Sequence, residues 1–223
     1  MKKKNLALFD LDDTLFDGDT EGEWVKYMDH AGLIQDPEFF NEMESFGKSY
    51  RQGDLNVDEY SEFLLSPLVG KNLKELEDKI DIFTSDVIDR LTDELTEELL
   101  LKHRDDTKIL TSGSLTFLVK VIGQKMGIET CFGTDPEYKD NVFTGKVEGS
   151  PNFSEEKVRR IKIWMQSNHF EKIFAYSDSI HDLPLLEFSD IPSAISPDKK
   201  LLKVAEERKW MVEGRRNTTR SLP

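Results

Sequence analysis

Residues 6–15 read LALFDLDDTL: four apolar side chains run straight into Asp10, Asp12 and Asp13. A short, unbroken apolar run of this kind is the mark of a parallel strand covered on both faces. Such strands are laid down in α/β sheets, whose ligands gather at the strands' carboxyl ends. Like charges a few ångströms apart repel and raise one another's pKa. Three acids at the end of a buried strand therefore call for a counter-charge, or for chemistry that needs them close. The rest of the chain is read around that demand.

Acidic residues outnumber basic ones 44 to 30 in 223 residues, a formal net charge of −14. This balance argues against an electrostatic nucleic-acid binder and against a basic membrane-surface protein. Cys131 is the single cysteine, which excludes an internal disulfide and fits a reducing compartment. No apolar run approaches a membrane span. The start MKKKNLALFD mimics the basic region of a signal peptide, but Asp10 interrupts the apolar stretch too early. The expectation is a soluble, cytoplasmic protein, monomer or homodimer, with neither nucleic acid nor membrane as partner.

From Asp19 to Leu91 the reading is all helix. Trp24, Tyr27, Met28 and Ala31 keep helical spacing, as do Phe39, Met43, Phe46 and Tyr50. Asn56 with Glu59, and Asn72 with Glu75, have capping-box spacing. Beyond residue 91 the rhythm alternates. TKILTS, TCFGT, VFTGKVEG, KIFAYSD, SAIS and KWMV read as strands; ELTEELLLKH, LTFLVKVIGQKM, SEEKVRRIKIWMQ, LPLLEF and DKKLLKVAEER read as helices. Alternation of this kind predicts an α/β fold with a doubly wound parallel sheet. The helical block behind the first strand reads as an insert. The expected division is a core of residues 1–16 and 88–223, a helical cap of 17–87, and a polar, mobile tail over 214–223.

Three predicted strands end on reactive side chains, in FDLDDT, ILTSG and YSDSIHD, and Lys157 stands at a helix start, where the dipole disfavours a cation. Taken singly, each string has an ordinary explanation: a solvated turn, a strand-to-helix turn, a solvated helix face, an N-cap run. Together and in this order they resemble the four motifs of the haloacid dehalogenase superfamily. The helical insert resembles the cap of its phosphoserine phosphatase-like branch. ALFDLDDTL, GDT, KVRR and YSDSIHDLPLL are similar to the corresponding strings of bacterial histidinol-phosphate phosphatases in that branch.

The resemblance implies a small-molecule phosphomonoester as substrate and Mg²⁺ as cofactor, held by Asp10, the Asp12 carbonyl and Asp178, with Asp182 orienting metal-bound water. Asp10 is implied as the nucleophile, forming an aspartyl-phosphate, and Asp12 as the general acid and base. Crowding among carboxylates favours the proton that such an acid must hold. Ser112, the Gly113 amide at a helix start, and Lys157 are implied to bind phosphate, with Thr111 an alternative to Ser112. Thr14 is expected to brace the loop, and Asp13 to be structural.

Substrate choice falls to the cap. Asp19 stands where phosphoserine phosphatases carry the Glu that holds the substrate amine, and it also reads as an ordinary helix N-cap. Leu64 aligns with their carboxylate-binding Arg, although Arg51 lies nearby in sequence. An amine without a carboxylate, as in histidinol phosphate, suits this set better than phosphoserine. A phospho-aspartate signalling switch, a non-catalytic phosphate-binding protein and a phosphomutase are the competing readings. The acid at Asp12 argues against the switch, because it speeds loss of the phosphoryl group.

Overall fold

Leu6, Ala7, Leu8 and Phe9 are fully buried and form strand β1 (Leu6–Phe9) at the centre of a parallel sheet. The computed structural model describes residues 4–166 and 168–215. β1 pairs on one side with β2 (Thr107–Leu115) and on the other with β6 (Ile173–Ser177). β3 (Thr130–Thr134), β7 (Ile191–Ile195) and β8 (Met211–Glu213) complete the order β3-β2-β1-β6-β7-β8, every pair parallel. The order reverses beside β1, so the ends of β1, β2 and β6 open on one crevice.

Helices α1 (Thr20–His30), α2 (Phe39–Gln52), α3 (Val57–Leu65) and α4 (Leu73–Leu91) lie in the chain between β1 and β2. Asp19, Asn56 and Asn72 cap the starts of α1, α3 and α4 by accepting backbone N–H groups. Gly53 ends α2 in the left-handed conformation. The boundary expected at residue 87 falls inside α4, whose apolar stripe runs on to Leu91. Trp24 of α1 packs edge-on against Phe83 of α4 and against Phe117, with centroids 5.0 and 6.0 Å away. Phe117 belongs to α6 (Thr116–Lys125), so one hydrophobic cluster runs from the insert into the sheet layer.

After α4, α5 (Glu94–Lys102) leads back to β2. α7 (Glu155–Met165), α8 (Leu183–Phe188) and α9 (Lys199–Arg208) cross between the later strands. Two elements depart from the sequence expectation. The strand read in VFTGKVEG is β5 (Val142–Val147), and it pairs with β4 (Pro136–Lys139) in a separate antiparallel hairpin. Asp140 and Asn141 turn it with φ of 54° and 64°, the two left-handed residues that a tight hairpin requires. β2 also continues to Leu115, three residues beyond Ser112. Its end is irregular, with a register shift against β3 between Thr111 and Leu115. Gly133 of β3 lies against that irregular end: a Cβ there would stand 2.6 Å from the Ser114 carbonyl oxygen and 2.7 Å from Thr116 Cα.

No described helix is long and apolar enough to cross a membrane. Of the tail expected over 214–223, residues 216–223 lie outside the described residues. Arg215 is buried.

His103, at the end of α5, is 2% exposed and packs edge-on against Phe9. Its Nδ1 lies 2.8 Å from Asp106 and its Nε2 2.7 Å from the Tyr176 hydroxyl. Burial lowers its pKa below the ordinary value of 6.5, with Asp106 opposing the shift. A lowered histidine pKa means that the unfolded chain takes up a proton first as pH falls. The stabilising share of neutral His103 is therefore complete above pH 6.5 and is lost as pH falls through the folded pKa. Denaturant titrations of wild type and His103→Gln between pH 8 and 5 check this: the stability gap between them narrows toward acid pH.

Candidate active site

The loop after β1 turns on itself. Asp12 is extended (φ −74°, ψ 132°) and Asp13 left-handed (φ 52°), so consecutive acids point in different directions. Asp10 is the first residue beyond β1, and its backbone N–H still bonds the Tyr176 carbonyl of β6 at 3.1 Å. Lys157, in the first turn of α7, bridges the cluster: its Nζ lies 2.7 Å from Asp10 Oδ1 and 2.7 Å from Asp182 Oδ2. Lys157 is 4% exposed, and the two carboxylates hold its pKa above the ordinary lysine value despite burial. This pairing overrides the unfavourable helix dipole that marked the residue in the sequence.

Asp12 takes three donors. The Thr20 N–H approaches Oδ1 at 2.6 Å, and the hydroxyls of Ser112 and Ser114 each approach Oδ2 at 3.0 Å. Thr111 points elsewhere, its hydroxyl accepting a 3.0 Å bond from the buried Asn152 amide. Gly113 lies within β2, not at the helix start expected for it, because α6 begins only at Thr116. Asp178, just past β6, exchanges two bonds with Thr14: the Thr14 hydroxyl donates to Oδ1 at 3.0 Å and accepts from the Asp178 N–H at 2.9 Å. Ser177 donates to Asp182 Oδ2 at 2.9 Å.

A cavity of about 380 Å³ joins these groups, with Asp10, Asp12, Ser112, Gly113, Lys157, Asp178 and Asp182 on its lining. Asp19 lines it too. Both N–H groups that Asp19 caps bond Oδ1, so the cap does not use Oδ2. Gly22 leaves room for that oxygen, since a Cβ there would stand 2.9 Å from it. Asp19 is accessible to solvent yet has much protein around it. The surrounding protein pushes its pKa to about 6, with the Asp12 and Asp13 charges adding to the shift.

Sequence reasoning missed the partners of Asp19. Glu21 lines the same wall, and the Tyr60 hydroxyl donates to its Oε2 at 3.3 Å. Burial, then the charges of Asp19 and Asp12, push Glu21 up to about 8. In the sequence, Glu21 is an unremarked first-turn acid and Tyr60 one aromatic in a helix. Phe46, Tyr50, Phe153 and His181 close the cavity. Tyr50 of α2 meets the His181 ring at 5.3 Å, and His181 meets Phe153 at 4.9 Å, an aromatic bridge from insert to core. Arg51 is on the lining, whereas Leu64 is buried in the core.

Carboxylates outnumber cations in this centre. Asp10, Asp12, Asp13, Asp178 and Asp182 line the cavity, and Lys157 is the cation seen paired there among the described residues, bonded to Asp10 and Asp182. Burial is the first cause that pushes Asp10 to about 7; Lys157 opposes it, and Asp182 and Asp12 add to it. Burial and the charge of Asp10 likewise raise Asp178 well above 3.8. Among the described residues no three acid, histidine or cysteine side chains form a metal cluster by themselves. The Asp10 and Asp178 carboxylates on one cavity lining, oxygen donors with a surplus of negative charge, fit a hard divalent cation.

The chain matches the haloacid dehalogenase-like hydrolase family over residues 7–187. It is 32% identical to a histidinol-phosphatase of Neisseria meningitidis over 94% of this chain and 98% of that protein. It is 27% identical to a phosphoserine phosphatase of Methanocaldococcus jannaschii over 91% and 90% of the two chains. Among solved structures, a Bordetella pertussis protein of unknown function superposes with a TM-score of 0.86 at 31% identity, covering 95% of this chain and 99% of that one. A substrate-bound phosphoserine phosphatase superposes with a TM-score of 0.65 at 24% identity, over 97% and 96%, a likeness that shows the fold. The fold and the match define the class: the chain belongs to the haloacid dehalogenase-like hydrolase family. Within it, the chain is a phosphoric monoester hydrolase.

The acid surplus has a measurable consequence. Asp10 ordinarily titrates at 3.8 and in the fold at about 7, so the folded state keeps a proton that the unfolded chain releases. Its contribution is present below pH 3.8 and is lost as pH rises through about 7. Denaturation of metal-free protein between pH 4 and 8 should show this negative slope, and Asp10→Asn should flatten it. Added Mg²⁺ should restore stability more at pH 8 than at pH 5.

Proposed function

We propose that the chain is a Mg²⁺-dependent phosphatase that hydrolyses a small, amine-bearing phosphomonoester through an aspartyl-phosphate, with histidinol phosphate as substrate. The observation that carries the reading is Lys157, held between Asp10 and Asp182 on the wall of a cavity that Asp12 and Ser112 share.

Asp10, the Asp12 carbonyl and Asp178 would hold Mg²⁺, with Asp182 orienting its water. The ion supplies positive charge that lets an anionic nucleophile approach an anionic phosphate. Lys157, the Ser112 hydroxyl and the Gly113 amide then neutralise and orient the phosphoryl oxygens. The Asp10 carboxylate attacks phosphorus in line, forming a Cγ–O–P linkage as the ester O–P bond breaks. Asp12 gives its proton to the departing alkoxide. Water next attacks the aspartyl-phosphate and surrenders a proton to Asp12. Inorganic phosphate leaves, and both carboxyl groups return to their starting states. Thr14, tied twice to Asp178, keeps the loop and the β6 end in fixed relation.

The far wall favours a cation. Asp19 and Glu21 are adjacent carboxylates in protein surroundings that penalise their charge, and an ammonium between them relieves the penalty. The rings of Phe46, Tyr50, Tyr60, Phe153 and His181 supply flat, polarisable walls for an imidazole. The helical insert, residues 17–87, acts in this reading as the specificity cap. Arg51 on the lining favours phosphoserine as the second reading, because a guanidinium pairs with a carboxylate.

Phosphate release from histidinol phosphate, phosphoserine, sugar phosphates and para-nitrophenyl phosphate, with and without Mg²⁺, tests this. Histidinol phosphate should lead the panel; a preference for phosphoserine would move the assignment to Arg51. Asp10→Asn should abolish turnover, and release at the full wild-type rate would remove the covalent mechanism. Glu21→Gln should raise KM for the amine substrate about tenfold to a hundredfold, the scale of one charge-assisted hydrogen bond. Its rate on para-nitrophenyl phosphate, which has no amine, should be unchanged.

A further inference from the structure

Arg215 lies far along the chain from the acidic loop, yet its side chain is 2% exposed and reaches into that loop. Its Nη2 donates to the Thr14 carbonyl at 2.5 Å, across 201 residues of sequence. Its Nη1 stands 2.5 Å from Asp93 Oδ2, an ion pair without the alignment of a hydrogen bond. Its Nε faces Asp17 Oδ1 at 3.8 Å, at ion-pair distance and beyond hydrogen-bond reach. The backbone is held as well, the Arg215 N–H donating to Ser196 Oγ at 3.2 Å.

These three partners are not a random set. Thr14 is the residue that fixes Asp178. Asp17 lies on the outgoing crossing from β1 to the helical insert, and Asp93 on the return crossing that caps α5. The two crossings already touch, the Asp17 N–H bonding the Leu91 carbonyl at 2.8 Å. The Thr96 hydroxyl adds a 2.5 Å bond to the Leu15 carbonyl. One guanidinium therefore meets the acidic loop, the way into the insert and the way out. A planar fork reaches three directions at once, which a lysine ammonium on a flexible stem does not reproduce.

We propose that Arg215 is a positioning residue of the active site, joining both crossings of the helical insert to the loop that carries Asp10 and Asp12. Removing it leaves Asp17 and Asp93 without their shared counter-charge and the buried Thr14 carbonyl without its donor. The acidic loop and Asp178 then lose their fixed relation while the sheet stays paired. Displacement of a nucleophile by about an ångström is enough to cost up to a hundredfold in rate.

The test uses the full-length chain, Mg²⁺ and para-nitrophenyl phosphate, whose turnover does not depend on which natural substrate is correct. Wild-type activity on this ester checks the phosphatase reading separately. Arg215→Met should lower kcat about tenfold to a hundredfold, with KM changed much less, and Arg215→Lys should recover only part of the loss. Hydrogen exchange, which needs no substrate, should speed up over residues 11–18 and 91–96 while β1, β2 and β6 keep their protection. Unchanged kcat, or unchanged exchange in those two segments, overturns the proposal. So does protection lost evenly across the sheet, which would make Arg215 a stability residue only. Asp93→Asn removes one contact and keeps the arginine; it should show a smaller fall in kcat with the same local exchange. If Arg215→Met does not fold, a fully active Asp93→Asn with wild-type exchange refutes the coupling.

Discussion

The short bonds from Lys157 to Asp10 and Asp182 are the constraint on which the centre depends. Taking an ammonium and two carboxyl groups out of water is costly, and only good geometry repays it. Lys157 comes from the first turn of α7, Asp10 from the end of β1, and Asp182 from the turn after β6. They meet only if β1 and β6 are in register and α7 packs on the sheet with its N-terminus toward the crevice. The parallel sheet supplies both conditions, because its right-handed crossovers place loop after loop at the same edge. The arrangement is still left with more negative charge than Lys157 balances, and that deficit is what a divalent ion and a cationic substrate are suited to fill.

The insert contributes to the same cavity without a separate core. Trp24, Phe83 and Phe117 run one apolar cluster across the junction, and the Tyr50–His181–Phe153 bridge crosses it on the cavity lining. Asp19 serves both layers: Oδ1 starts α1, and the residue lines the cavity. A helix cap and a ligand contact are often treated as rival readings of one carboxylate. At Asp19 the cap uses Oδ1 alone, so the two readings do not exclude each other.

Much of this was legible in the sequence, for identifiable reasons. Parallel strands leave unbroken apolar runs, and caps leave Asp or Asn before an apolar stripe. The expected parallel sheet, inserted helices and convergence of residues 10, 12, 112, 157, 178 and 182 rested on such local signals and on motif order. The insert's boundary was less legible, because the stripe of α4 continues unchanged through residue 87. Ser114 was hidden because an irregular strand end turns its hydroxyl toward Asp12. Glu21, Tyr60 and Arg215 were hidden because their roles arise from contacts across 39 and 201 residues. No spacing rule reaches that far, and a basic, polar ending reads as a tail whether or not one of its arginines is buried.

Gly133 carries a consequence of a different kind. It is neither ligand nor nucleophile, and it occupies the outermost strand on its side of the sheet. The missing methyl group there lets β3 lie flush against the Ser114–Thr116 backbone, so the stretch bearing the Ser112 and Ser114 hydroxyls inherits its height above the crevice from a neighbour's lack of bulk. Sequence drift along that border strand is thereby closed at one position, and the tolerance usually granted to a sheet's margin ends where the margin becomes the template for the strand end that meets Asp12.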